Sequence, residues 1–109
     1  MTREELTTII GLLEKVENKR LAAGVMWSDS TLCYCAQGAI CPRALWEGEG
    51  SLTDGGANYA RNVIKLWADE TRLSVFALRE LEVINDTVDV ETPEERYQAV
   101  MKELKGRLG

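Results

Sequence analysis

The stretch Tyr34-Cys35-Ala36-Gln37-Gly38-Ala39-Ile40-Cys41-Pro42-Arg43-Ala44-Leu45 sets the strongest limit on how this chain folds. It has no acidic side chain, is rich in small residues and holds two of the three cysteines. Charged amphipathic segments lie on both sides of it. Small apolar residues are among those most often buried. Ala36, Gly38, Ala39 and Ala44 would let neighbouring helices approach closely, so the stretch reads as a central buried helix over about 35–46. Pro42 conflicts with that reading. Inside a helix it removes one hydrogen bond and clashes with the preceding turn, at a cost of ~3 kcal/mol. A kink near Gly38–Pro42 is the expected compromise.

The flanking segments read as helices. Thr2-Arg3-Glu4-Glu5 has the form of a capping box, in which hydroxyl and carboxylate each satisfy an orphan amide. Leu6, Ile9, Ile10, Leu13 and Val16 follow at three- and four-residue steps, giving a helix over about 3–18 with cations at its end. Residues 21–34 form a connector in which Val25 and Trp27 turn inward, followed by a polar loop. After the flexible Gly-rich link at 47–51, Ala60, Val63, Ile64, Trp67 and Ala68 define a helix over about 57–70. Leu73, Phe76, Ala77, Leu81 and Ile84 continue the spacing past a break near Thr71–Ser74. They predict a helix over about 74–84, capped by Ser74 and stopped by Asn85 in the left-handed conformation. Thr92-Pro93-Glu94-Glu95 is the strongest start signal, with a Thr cap and proline at the first helical position. It opens a helix to about Leu108 along Tyr97, Val100, Met101 and Leu104. The fold class read from these segments is all-α: one domain, 1–109, of about five helices.

Composition narrows the function. With 109 residues, 45% hydrophobic and 28% charged, the chain is long enough and apolar enough for its own core. No apolar run approaches the ~20 residues of a membrane span. The N-terminus lacks a signal-peptide layout, so a cytoplasmic location is expected. The net charge of −5 comes entirely from residues 21–90, with five basic and ten acidic groups; the two flanking segments are balanced. That pattern offers no basic footprint for nucleic acid. It suits a solvated face or an acidic surface that meets a basic partner.

Several chemistries drop out. The chain has no histidine, so Ser-His-Asp and Cys-His catalytic pairs cannot be built. Cys33, Cys35 and Cys41 are spaced C-x-C-x5-C, unlike the usual zinc clamp, and a metal site is not expected. Cys35 at a helix start could be activated by the dipole, but with no base beside it the reading is a small buried hydrophobe. The acidic pairs are read as caps and solvated faces. No phosphate-loop pattern occurs. Of three tryptophans, Trp46 beside Glu47 and Glu49 is the best candidate for an exposed anchor that binds a partner.

Two pieces carry a resemblance: Trp27 followed by Cys35-Ala36-Gln37-Gly38-Ala39-Ile40, and Ile84-Asn85-Asp86 before a closing helix. Together they resemble a family of small proteins of actinobacteria and their bacteriophages, with motif order Trp, C-A-x-G-A-[LI], N-D. It spans about 27–104 in motif order. The chain departs from it at Pro42 and in the additional Cys33 and Cys41. The family has no assigned activity, so the resemblance implies a compact helical domain of phage type. It also implies structural roles for Trp27, Cys35, Gly38, Asn85 and Asp86.

The reading is therefore a non-enzymatic phage or prophage accessory protein that binds, and thereby blocks, a host macromolecule. It uses no cofactor, no direct nucleic-acid contact and no membrane, and self-association is left open. The rival readings are a small-molecule or nucleotide-signal sequestering protein, with helix starts at Cys35 and Ser74 offering amides to an anion, and a thiol or metal protein using the cysteines. Asp86 is expected to accept from amides near Cys35–Gln37 and so tie the two motifs together.

Overall fold

A computed structural model describes residues 1–23, 27–28, 33–40, 68–69 and 71–109. Within these the protein is mainly helical. Four helices are present among the described residues, where five were expected over the whole chain: α1 (Arg3–Glu14), α2 (Ala36–Ile40), α3 (Val75–Thr87) and α4 (Pro93–Leu108). A short antiparallel pair, β1 (Trp27–Ser28) with β2 (Cys33–Tyr34), joins Trp27 to Tyr34 and Ser28 to Cys33. The predicted helix over 57–70 and the region around Pro42 fall largely outside the described residues.

α1 begins as its capping box dictates. Thr2 Oγ1 accepts from the Glu5 amide at 3.1 Å, and Glu5 Oε1 accepts from the Thr2 amide at 2.9 Å. The helix ends at Glu14, four residues short of the expected end near 18. The physical reason is that groups from beyond the helix take over its last carbonyls, the Val16 amide donating to that of Leu13 at 3.1 Å. Tyr97 Oη donates to the Leu13 carbonyl at 3.1 Å, Lys19 Nζ donates to that of Glu14, and Lys19 itself turns left-handed with φ 50°. Orphan carbonyls satisfied in this way remove the advantage of another turn.

Ala68, Asp69 and Thr71 have helical backbone, and the break expected after them is present. Arg72 is left-handed at φ 59°, and the Leu73 amide donates back to the Ala68 carbonyl at 3.1 Å. This is the Schellman arrangement, with both flanking residues against the core. Ser74 then caps α3, its Oγ accepting from the Ala77 amide at 3.0 Å.

α3 runs three residues past its expected end. Asn85 lies inside the helix rather than in the left-handed position, because its side chain is committed to the interior. The chain leaves the helix at Val88, which is extended. α4 starts at Pro93 as predicted, with Thr92 accepting from the Glu95 amide at 3.1 Å.

Among the described residues the core is one cluster. Leu6, Ile9, Ile10 and Leu13 of α1 meet Tyr97, Val100, Met101 and Leu104 of α4, the most extensive pairing among the described helices. α2 packs against both α1 and α3, with Ala36 and Ile40 buried. The short helix thus sits between longer ones, as its small residues require.

Candidate functional site

Two places carry the residues of functional interest: a buried polar node between α2 and α3, and the outer face of α3.

The node centres on Asn85, which is 1% exposed. The inward stripe of α3 is Ala77, Leu78, Leu81, Ile84 and Asn85, so the amide points where Leu78 and Leu81 also point. Asn85 Oδ1 accepts from the Ala36 amide at 3.0 Å, at the first turn of α2. Asn85 Nδ2 donates to the Ala22 carbonyl at 2.8 Å and to Asp86 Oδ1 at 2.9 Å. One side chain therefore ties three segments of chain together. Gln37, equally buried, donates through Nε2 to the Leu78 carbonyl at 3.0 Å. The expectation for Asp86 is corrected here. Its neighbour Asn85 holds the start of α2, and Asp86 lies on the exposed side. The reason is angular: the two residues are about 100° apart around the helix, and only Asn85 falls on the core stripe.

Cys35 immediately precedes α2 and is buried. Its Sγ accepts from the Gly38 amide at 3.3 Å, so the sulfur takes the place of a capping oxygen. Burial pushes the thiol up to about 11. The Gly38 and Gln37 amides act in the opposite direction and are outweighed, and the Asp86 and Glu82 carboxylates add to the rise. A thiol held there is protonated at neutral pH and is a poor nucleophile or metal ligand. Gly38 is buried in α2 and Trp27 pairs in β1. Trp46, Glu47, Glu49 and Cys41 lie outside the described residues, and of Cys33 only the backbone is described.

The helix starts that were candidates for holding an anion are already committed. A carboxylate of the chain itself occupies the start of α3: Glu5 Oε2 accepts from the Ser74 amide at 2.9 Å and from Ser74 Oγ at 2.7 Å. Glu5 thus caps α1 and braces α3 together. The Thr2 amide and the two Ser74 donors hold its carboxyl down at about 2. At α2, the Ala36 and Gly38 amides are taken by Asn85 and Cys35. A cleft of about 210 Å³ lies between Leu21–Ala23 and the start of α4. Its charged lining is Glu91 and Arg96, and Arg96 already donates to the Asn85 carbonyl, so the cleft presents no basic wall.

The outer face of α3 shows what the sequence reading missed. Phe76 was placed on the core stripe, but its side chain is 85% exposed, and Val83 is 59% exposed. At 100° per residue, Phe76 lies about 140° around the helix from Leu81, on the far side from the core. Phe76 and Val83 are seven residues apart and share one ridge, with Arg79 between them and Asp86 beyond. The available signal was Leu78: once it joins Ala77, Leu81 and Ile84 on the stripe, Phe76 is forced outward.

No metal-holding group of three or more carboxylates and thiols occurs among the described residues. No helix among them is long and apolar enough to cross a membrane. Comparison of the chain with family models, with curated proteins and with solved structures gives no match.

Proposed function

We propose that this chain is a small accessory protein of phage or prophage type that binds a host macromolecule and acts by occupying its surface. The observation that carries this reading is Phe76, an aromatic ring 85% exposed at the head of an apolar ridge. A ring in water is an unfavourable use of a core-forming residue. Burying it against a partner is worth about 2 kcal/mol, and aromatic residues of this kind dominate protein contacts. Val83 extends the ridge and Arg79 supplies a charged flank. The polar residues that could have pointed to chemistry support binding instead. Asn85, Gln37 and Cys35 are spent on holding α2, and Glu5 on joining α1 to α3. In this reading the protein is not an enzyme and needs no cofactor. It works in the host cytoplasm without touching nucleic acid directly. Trp46, Glu47 and Glu49 form a second set of contacts to the same partner.

The test is capture from an actinobacterial host lysate on immobilised protein, followed by mass spectrometry. Wild type should retain a specific macromolecule that Phe76→Asp loses, while both show the same thermal unfolding. An identical capture profile for the two proteins would remove the ridge from the reading.

A further inference from the structure

We infer that the cleft between Leu21–Ala23 and the start of α4 binds a small zwitterion, an α-amino acid with a short apolar side chain. The cleft shares no residue with the outer face of α3, so this site stands or falls independently of the host reading.

Two unspent charges of opposite sign carry the assignment. Arg96 and Glu91 both line the cleft, and neither belongs to an ion pair among the described residues. Arg96 spends one guanidinium donor on the Asn85 carbonyl. That bond holds the fork in place and leaves its other donors open, and a guanidinium so held suits the two oxygens of a carboxylate. On the opposite wall the Ala23 amide donates to no described residue and adds a neutral donor. Glu91 is exposed, is the one anionic group of the lining, and suits an ammonium. A lone anion would gain Arg96 and face repulsion from Glu91, and a lone cation would meet the reverse. A molecule that carries both charges gains from each.

Size and shape narrow the class. The cleft holds about 210 Å³, below the ~300–1,000 Å³ of sites for drug-sized ligands. That is too little for a nucleotide and suits a single amino acid. Ala22 and Pro93, over the buried Leu21, supply an apolar floor for a short side chain. The walls are set before any ligand arrives. The Leu21 amide donates to the Pro93 carbonyl at 3.1 Å, and the Ala22 amide to the Tyr34 carbonyl at 2.9 Å. Asn85 Nδ2 holds the Ala22 carbonyl from the other side at 2.8 Å. A ligand therefore meets little of the ordering cost that weakens binding to a loose site.

NMR titration of the isotope-labelled full chain with L-valine tests this, with L-valinamide and N-acetyl-L-valine as analogues that each lack one charge. Valine should shift the amides of Ala22, Ala23 and Thr92 saturably, with a Kd of about 0.1–1 mM for so small a ligand. Both analogues should bind about tenfold more weakly, because each leaves one charge of the cleft unanswered. Arg96→Gln should weaken valine by a similar factor, but it also removes the bond to the Asn85 carbonyl. Glu91→Lys is the cleaner variant, since Glu91 is exposed. It should melt as wild type does, bind valine several-fold more weakly, and bind N-acetylvaline at least as well as wild type binds it. No saturable shift up to about 20 mM valine overturns the proposal. So do analogues that bind as tightly as valine, or a Glu91→Lys protein that binds valine as wild type does.

Discussion

Replacing Asn85 with alanine should destabilise the protein severely, by an amount that can be worked from its bonds. The side chain is 1% exposed, and the groups it serves, the Ala36 amide and the Ala22 carbonyl, belong to residues that are themselves buried. Truncation leaves one buried donor and one buried acceptor without a partner, at about 1–3 kcal/mol each, so a total of about 3 kcal/mol is expected. For a chain of this length that corresponds to a fall in melting temperature of about 12 °C. Asn85→Asp is the sharper probe. The introduced carboxylate still accepts from the Ala36 amide but turns an acceptor toward the Ala22 carbonyl, where the amide nitrogen had donated. Burial and that repulsion raise its folded-state pKa above the ordinary ~3.9. The folded state then binds more protons than the unfolded one, so stability relative to wild type is best near pH 4 and is lost as pH rises through the raised pKa. Urea unfolding of wild type and both variants at pH 4.5, 6 and 7.5 reads this directly. The reasoning is refuted by an Asn85→Ala loss under 0.5 kcal/mol, by an Asn85→Asp deficit that does not shrink toward pH 4.5, or by an Asp86→Ala cost that matches Asn85→Ala.

Glu5→Gln should remove stability that wild type holds above pH 4.5 and loses as pH falls toward about 2, because the folded carboxyl lies below its unfolded value. The site is partly open to water, so the difference at pH 7 is about 1.5 kcal/mol, and matching acid-unfolding curves would contradict it. Cys35 should resist thiol reagents in the folded protein and label quickly in urea, and Cys35→Ala should cost more than Cys35→Ser because alanine leaves the buried Gly38 amide without the acceptor that a serine oxygen still supplies. Fast labelling of the Cys35 peptide under native conditions, read by mass spectrometry, would count against this. Thr92→Ala should cost about 1 kcal/mol through loss of the α4 cap, measured by denaturant midpoint. Arg72→Gly should gain about 0.5–1 kcal/mol, since glycine accepts the left-handed backbone without the steric penalty that arginine bears at φ 59°. A loss of stability there would mean that the arginine side chain contributes more than its backbone costs.

What could be read from the sequence was local. Thr2, Ser74 and Thr92 each lie within three residues of the amide they cap, so the helix starts at Arg3, Val75 and Pro93 follow from short-range chemistry. The ends and the site depended on partners far along the chain. Tyr97 reaches the Leu13 carbonyl at the end of α1, and no pattern near Leu13 announces it. Asn85 before Asp86 reads as a helix stop whenever its side chain is free to bend back on its own backbone. It becomes a buried linchpin only because Ala22 and Ala36, 63 and 49 residues away, converge on it. The motif pairing of the two segments was visible, but a one-residue difference in which side chain faces inward was not. Phe76 was a narrower miss: Leu73, Ala77, Leu81 and Ile84 are buried as their spacing predicts, and taking Phe76 instead of Leu78 turned an outward ring into a core residue.

The pairing of α1 with α4 also sets a clock. The apolar stripe of α1 emerges first during synthesis, and its principal partner is the last helix to appear, 79 residues after α1 ends. At the usual pace of translation this leaves the stripe uncovered for roughly 4–16 s. Throughout that interval the Tyr97 hydroxyl that will hold the Leu13 carbonyl has yet to be made. A nascent chain stalled before Pro93 would present Leu6, Ile9, Ile10 and Leu13 to chaperones and proteases without the helix that covers them in the folded protein.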